Sequence, residues 1–363
     1  MDKIIFTFLL IVFPLGQLVK FGIFNIFDIL AVMLAIFTLL KKPKYPNWYP
    51  YFLCFILFGL FSWTVNLFII KDPLVFKGFL YLIRLFSYSF VAVYVFNFLK
   101  SKQGLSISDK KEKIINSLLS ISIVSTLFGW IQYLILPDTR FLKAVGWDDH
   151  LYRMVGTFLD PAFLALIILL GIVIALYQKK TKIFLFLLIS LAFTYSRATY
   201  LGLGLFLIFK RKFLPLIIFA TVILFLPKML SEGTDFARTV SNINKLSNYQ
   251  ETLSIIKKSP SIGVGYNNFC PARIKYLNTD NTSSHSCFGS DSSILFILAT
   301  TGVIGFLLFI SFIFRVPNSY LVFSSFILIM VHGLFTNSLF YPHIMFWMFA
   351  LLGLGSEGNG KRS

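Results

Sequence analysis

Asp291 and His285 are the two residues of this chain best suited to handle the proton of a hydroxyl group. Asp291 stands at the mouth of an apolar run and His285 lies six residues earlier. An imidazole titrates near neutral pH. A carboxylate acts as a base if its surroundings raise its pKa, and otherwise orients a hydroxyl by hydrogen bonding. Asp291 precedes Ser-Ser-Ile-Leu, so it also reads as the N-cap of a helix. Four arginines, Arg197, Arg153, Arg84 and Arg238, sit in or beside apolar runs. Their planar forks suit bidentate contact with phosphate oxygens, and they keep their charge at any physiological pH. Arg153 and Arg238 lie close to an interface, where contact with solvent or lipid headgroups is an equal reading.

Gly263 and Gly265 mark a turn, Ser261-Ile262-Gly263-Val264-Gly265-Tyr266, whose backbone can approach something anionic or bulky. It is no nucleotide fingerprint, having neither a preceding strand in a Rossmann-like unit nor the P-loop lysine. Carboxylates are scarce, and no His-x-x-x-His or Cys-x-x-Cys spacing occurs, so no metal site is expected. Cys270 and Cys287 share one polar stretch, where a disulfide persists if the compartment is oxidising; sequence leaves open whether it forms. Cys54 falls in an apolar run and reads as inert.

The elements that carry these residues are membrane spans. With 363 residues, 57% hydrophobic, 44 phenylalanines and a mean hydropathy of +0.80, the chain exceeds what a soluble core hides. The expected fold is an all-α polytopic membrane protein with about twelve transmembrane helices. The candidate spans are 4–19, 22–40, 49–70, 77–99, 114–136, 157–177, 183–195, 198–209, 213–230, 292–314, 318–337 and 340–355. One larger extracytoplasmic loop, 231–291, separates spans nine and ten. The first apolar run follows one lysine and lacks a small-residue cleavage site, so it reads as a retained span. Neither internal repeats nor low-complexity segments are evident.

The net charge of +18 concentrates in short loops between spans, where topology and anionic lipid account for it; no soluble basic domain exists to bind nucleic acid. Basic clusters at Lys41–Lys44, Lys100–Lys113, Lys179–Lys182, Lys210–Lys212, Arg315 and Lys361–Arg362 each follow an even-numbered span. The positive-inside rule then places both termini in the cytoplasm and the 231–291 loop outside. All four histidines, His150, His285, His332 and His343, fall on or near that outer side. Fourteen residues separate Lys182 from Arg197 and twelve separate Arg197 from Lys210. Helices that short leave the Tyr195-Ser196-Arg197-Ala198 turn recessed, where an arginine calls for a polar cavity or an anion, or snorkels in a thinned bilayer. Arg84 lies about two turns inside the fourth span and raises the same demand.

Several segments resemble the O-antigen ligases and O-antigen polymerases, a family of membrane glycosyltransferases. Arg153-Met154-Val155-Gly156-Thr157-Phe158-Leu159-Asp160-Pro161 is similar to the family's Arg-x-x-Gly-Thr-Phe-x-Asn-Pro, with Asp160 for the asparagine. Ser196-Arg197 before a short apolar helix resembles its Ser-Arg turn, and Tyr249 through Phe269, ending Lys258-Ser259-Pro260-Ser261-Ile262-Gly263-Val264-Gly265-Tyr266-Asn267-Asn268-Phe269, its Pro-x-x-Gly-x-Gly-x-x-x-Phe segment. Gly302-Val303-Ile304-Gly305 and Asn337-Ser338-Leu339-Phe340-Tyr341-Pro342-His343 resemble the final spans.

The resemblance implies an undecaprenyl-pyrophosphate-linked glycan as donor, a glycan or lipid A-core as acceptor, membrane lipids as surroundings, and neither cofactor nor metal. It divides the chain into N-terminal helices (1–150), a ligase/polymerase-like region (151–355) and a cytoplasmic tail (356–363). In the ligase pattern a histidine stands eleven residues before the first of two glycines spaced like Gly302 and Gly305. Here that register holds Asp291, which tilts the expectation toward a polymerase. The competing class is a transporter or flippase of lipid-linked oligosaccharide, although the single long loop and the absence of repeats do not favour it.

Overall fold

The computed structural model describes residues 1–21, 24–101, 104–227, 233–235, 238–279, 287 and 289–356. The described helices are α1 (Asp2–Val12), α2 (Ile26–Leu39), α3 (Tyr49–Ile70), α4 (Val75–Lys100), α5 (Ile107–Ile135), α6 (Pro161–Tyr177) and α7 (Thr181–Ala192). They continue with α8 (Arg197–Phe209), α9 (Phe213–Leu224), α10 (Thr239–Lys258), α11 (Phe269–Leu277), α12 (Ser293–Ile313), α13 (Tyr320–Gly333) and α14 (Pro342–Gly355). Beside them one two-residue pairing is described, Lys20–Phe21 antiparallel to Phe24–Asn25.

The chain is a polytopic membrane protein. Among the described residues four helices, α3, α4, α5 and α12, are long and apolar enough to cross a membrane. The other apolar helices are shorter than the roughly 20 residues of a straight crossing. Where 4–19 was expected as one span, the helix stops at Val12 and Phe13–Leu15 tighten into a 3₁₀ turn holding Pro14. Proline lacks the N–H that would continue the ladder.

The chain divides into two compact units. The first comprises Met1–Leu30, Phe98–Val240 and Tyr320–His332. Its central helix is α6, buried from Leu164 to Ala175. A helix that is apolar all round belongs inside. Asp160 starts it as N-cap, accepting from the Ala162 N–H at 2.6 Å, with Pro161 in the first turn where its missing N–H costs nothing. α6 packs against α5, α7 and α8.

The second unit comprises Ala31–Asn97, Ser241–Ser319 and Gly333–Ser363. Its central helix is α14, buried from Pro342 to Leu354. Trp48 stacks on Phe349 at 6.4 Å between centroids and donates from Nε1 to Ser356 Oγ at 2.8 Å. α3 and α12 pack together through Phe52, Phe55, Phe309 and Phe312.

α12 is not a continuous helix. Gly302 lies at φ 64°, ψ −171°, and the helix resumes beyond it. Such a break frees backbone groups that a membrane interior cannot solvate. The turn after α10 supplies the missing partners: the Val303 N–H donates to Pro260 O at 2.8 Å, Ile304 N–H to Ser261 O at 3.2 Å, and Val264 N–H to Ala299 O at 2.9 Å. From α3, Ser62 donates to the Ile262 and Thr300 carbonyls and Asn66 to the Gly263 carbonyl. Asn248 of α10 meets Asp291 at the start of α12, whereas Pro260 meets Val303. The second half of α10 therefore runs alongside the first half of α12, and its terminal turn reaches about 15 Å along that helix. Part of the 231–291 stretch, expected as an extracytoplasmic loop, packs as a wedge against the break in α12.

Candidate functional site

In the first unit the residues converge on the turn between α7 and α8. Those helices have 12 and 13 residues, about 18–20 Å each, shorter than the roughly 30 Å of a hydrocarbon core, and the turn Phe193–Ser196 joins them. Arg197 is the first residue of α8 and is half-buried. Two further arginines hold the turn. Arg153, 6% exposed, donates from Nε to Thr194 O at 3.2 Å, and its Nη1 lies 3.3 Å from His150 Nδ1. Arg238, 9% exposed, donates from Nη2 to Tyr195 O at 2.6 Å and to Gly233 O, and from Nε to Asp235 O at 3.2 Å.

The strand of chain bearing Arg153 is itself fixed on both sides. Gln132 of α5 accepts from the Val155 and Gly156 N–H groups, and the Met154 N–H donates to Phe193 O at 3.0 Å. Burial, then the charge of Arg238, push the Arg153 guanidinium below its ordinary range, while Asp160 opposes them. Burial, then Arg153 and Arg238, push His150 down to about 3. Two buried guanidinium groups and a neutral imidazole thus meet at one turn, an arrangement to which an anion is suited.

The second unit holds Asp291, Arg84, Gly263 and Gly265. Asp291 is half-buried, one residue ahead of the N-cap: Ser292 caps α12, its Oγ accepting from the Leu295 N–H at 3.5 Å. Asp291 is thus released from the capping role that its position suggested. Its N–H donates to Asn248 Oδ1 at 2.8 Å, and Asn248 Nδ2 donates to Gly289 O at 3.1 Å, which fixes the approach to α12 from α10. Neighbouring Tyr249 is pushed up to about 12, by burial and then by the Asp291 charge. Arg84 lies with its guanidinium 4.7 Å over the Tyr81 ring. The glycines approach protein backbone: a Cβ on Gly263, at φ +72°, would stand 2.4 Å from the Thr300 carbonyl carbon. His285 lies outside the described residues.

Cys270 and Cys287 are joined in a disulfide. The bridge ties α11 to the approach of α12, beside Arg273, which is 4% exposed and grips Glu251 of α10 through two nitrogens, at 2.8 and 3.3 Å. Opening it should lower stability by about 2–4 kcal/mol. Reductant, or Cys270→Ser with Cys287→Ser, is therefore expected to lower the melting temperature measured in detergent; an unchanged value would deny the bridge a role.

Residues 151–310 match the model of the family described as O-antigen ligase. Over these residues the chain resembles the O-antigen ligase/polymerase family. No curated protein matches the chain. The O-antigen ligase region contains Arg153, Arg197, Arg238, Gly263, Gly265, His285 and Asp291, whereas Arg84 precedes it. The family is one of glycosyltransferase-like enzymes in O-antigen and polysaccharide synthesis.

Within the first unit the structure brings Arg153 and Arg238 together at the turn carrying Arg197. Within the second it joins the region's glycine turn to α12. Sequence reasoning missed His150 as a partner of Arg153, although the three-residue spacing was a signal. It missed Arg273, Glu251 and Asn248, which nothing in a polar stretch singled out.

Proposed function

We propose that the chain is a membrane glycosyltransferase of the O-antigen ligase/polymerase type, with an undecaprenyl-pyrophosphate-linked glycan as donor and a sugar hydroxyl as acceptor. It acts at the outer face of the bacterial inner membrane, with both termini cytoplasmic, in surface polysaccharide or lipopolysaccharide biosynthesis. The observation that carries this reading is the pair of buried guanidinium groups that hold the Phe193–Ser196 turn. A pyrophosphate presented from the outer leaflet is an anion suited to them.

In the reaction the acceptor oxygen bonds to the donor's anomeric carbon while the bond from that carbon to the pyrophosphate oxygen breaks. The electron pair leaves with the lipid pyrophosphate. Arg197, Arg153 and Arg238 are the first unit's candidates to bind it and stabilise the growing charge, and Arg84 is the second unit's. Asp291, or His285, orients the acceptor hydroxyl and receives its proton. Gly263 and Gly265 act indirectly, by seating the turn that completes α12. Asp291 in the register of the ligase histidine inclines the reading toward polymerisation, with a repeat unit as acceptor; a ligase would instead transfer to a lipid A-core glycan.

Reconstituted protein given a lipid-pyrophosphate-linked repeat unit is expected to yield longer lipid-linked chains. Arg197→Lys, which keeps charge but loses the fork, is expected to fall about 10- to 100-fold in kcat/KM. Asp291→Ala and His285→Ala identify the hydroxyl-handling residue by which of them abolishes products. Transfer only after a non-repeat acceptor is added would make the enzyme a ligase. Movement of unaltered glycan between leaflets, with no new product, would overturn the enzymatic reading in favour of a flippase.

A further inference from the structure

The first unit contains a buried donor that the described residues leave unsatisfied, Nε2 of His150. The His150 ring is 8% exposed, and its Nδ1 faces Arg153 Nη1 at 3.3 Å. A guanidinium only donates, so Nδ1 accepts and the proton of the neutral ring sits on Nε2. The ring has little freedom to retreat. Thr139 donates to the His150 carbonyl from both its N–H and its Oγ1, each at 2.9 Å, and Asp138 and Leu151 form a β-bridge across this loop. A buried donor without an acceptor is destabilising. The charged groups bearing on the ring are Arg153 and Arg238, both cations, so the ring donates rather than acts as a base, and the acceptor that fits best is an anion.

We propose that His150 is part of the anion site, its Nε2–H donating to a non-bridging phosphate oxygen of the pyrophosphate that Arg153 and Arg238 neutralise. This rests on the pyrophosphate reading above. It makes the site a mixed one, in which guanidinium groups supply charge and a pinned neutral imidazole supplies direction.

Two isosteres separate the ring nitrogens. His150→Asn keeps an acceptor near Nδ1 for Arg153 and removes the Nε2 donor; His150→Gln keeps a donor near Nε2. The probe is inorganic pyrophosphate, its Kd measured by thermal shift on the full chain in detergent. Wild type and His150→Gln are expected to bind within about threefold of each other, and His150→Asn about 10- to 100-fold more weakly, the size of a hydrogen bond to a charged acceptor. Equal binding by His150→Asn and wild type, or equal loss in both variants, overturns the proposal and leaves the pyrophosphate reading standing. No binding by wild type overturns both. Should His150→Asn fail to fold, isotopically labelled histidine in the wild type decides: pyrophosphate is expected to shift the His150 Nε2–H resonance, and an unmoved resonance overturns the assignment.

Discussion

Replacing Gly302 by alanine is expected to cost the protein its fold around α12, giving a melting temperature lower by at least about 5–10 °C or no monodisperse protein at all. Two independent effects add. The conformation at φ 64°, ψ −171° is one that essentially only glycine occupies, and it costs another residue about 1–3 kcal/mol. A Cβ there would also stand 2.3 Å from Ser261 O and 2.4 Å from its carbonyl carbon, both of them backbone atoms with no side-chain freedom to yield. Relief would require the 259–264 turn to withdraw, which strands the Val303 and Ile304 N–H groups without acceptors in an apolar surrounding. Gly204→Ala is the matching control. Gly204 lies within α8 and a Cβ there meets nothing within 4 Å, so alanine should be neutral or slightly stabilising. Equal melting temperatures for Gly302→Ala and wild type would show that the wedge contributes nothing to stability.

That wedge marks where sequence stopped being informative. The apolar runs were legible because bilayer thickness imposes length and composition on each helix separately. The break in α12 was not, since Gly302 sits in a run that hydropathy alone reads as one span. A signal did exist in α3: Ser62 and Asn66, four residues apart and both buried, lie on one face of an otherwise apolar helix. Buried polar groups call for partners, and theirs are the carbonyls of the glycine turn and of Thr300. The glycines were expected to approach something anionic or bulky; Gly263 lies against protein backbone, and what it approaches is set by contacts some forty and two hundred residues away in sequence, which no local pattern encodes.

The arginines illustrate the complementary case. Each was conspicuous alone, because a cation beside an apolar run is expensive. Their grouping was not, because Arg153 and Arg238 reach the same turn from segments 85 residues apart and through carbonyl oxygens that every residue possesses. Asp291 was legible as a residue at the mouth of a helix, yet the cap fell to Ser292.

Arg153→Lys is expected to lower glycan transfer by about 10²–10³-fold while the protein stays folded. The guanidinium meets Thr194 O with Nε and His150 Nδ1 with Nη1 at once; a lysine has one nitrogen and cannot hold both while also facing an anion. Arg153→Met separates charge from geometry through pH. His150 is held down to about 3 from an ordinary value near 6.5, by burial first and then by Arg153 and Arg238. A depressed pKa means the unfolded state binds the proton more readily. The stability associated with neutral His150 is therefore fully present above about pH 6.5, and is lost as pH falls toward 3. Without the Arg153 charge the depression lessens, so the melting temperature of Arg153→Met should fall less steeply between pH 6.5 and 3 than that of wild type. Burial remains, so the dependence should shrink without vanishing. An equal or steeper fall in Arg153→Met would mean that Arg153 does not set the electrostatics of His150, and with that the two residues would no longer form one site.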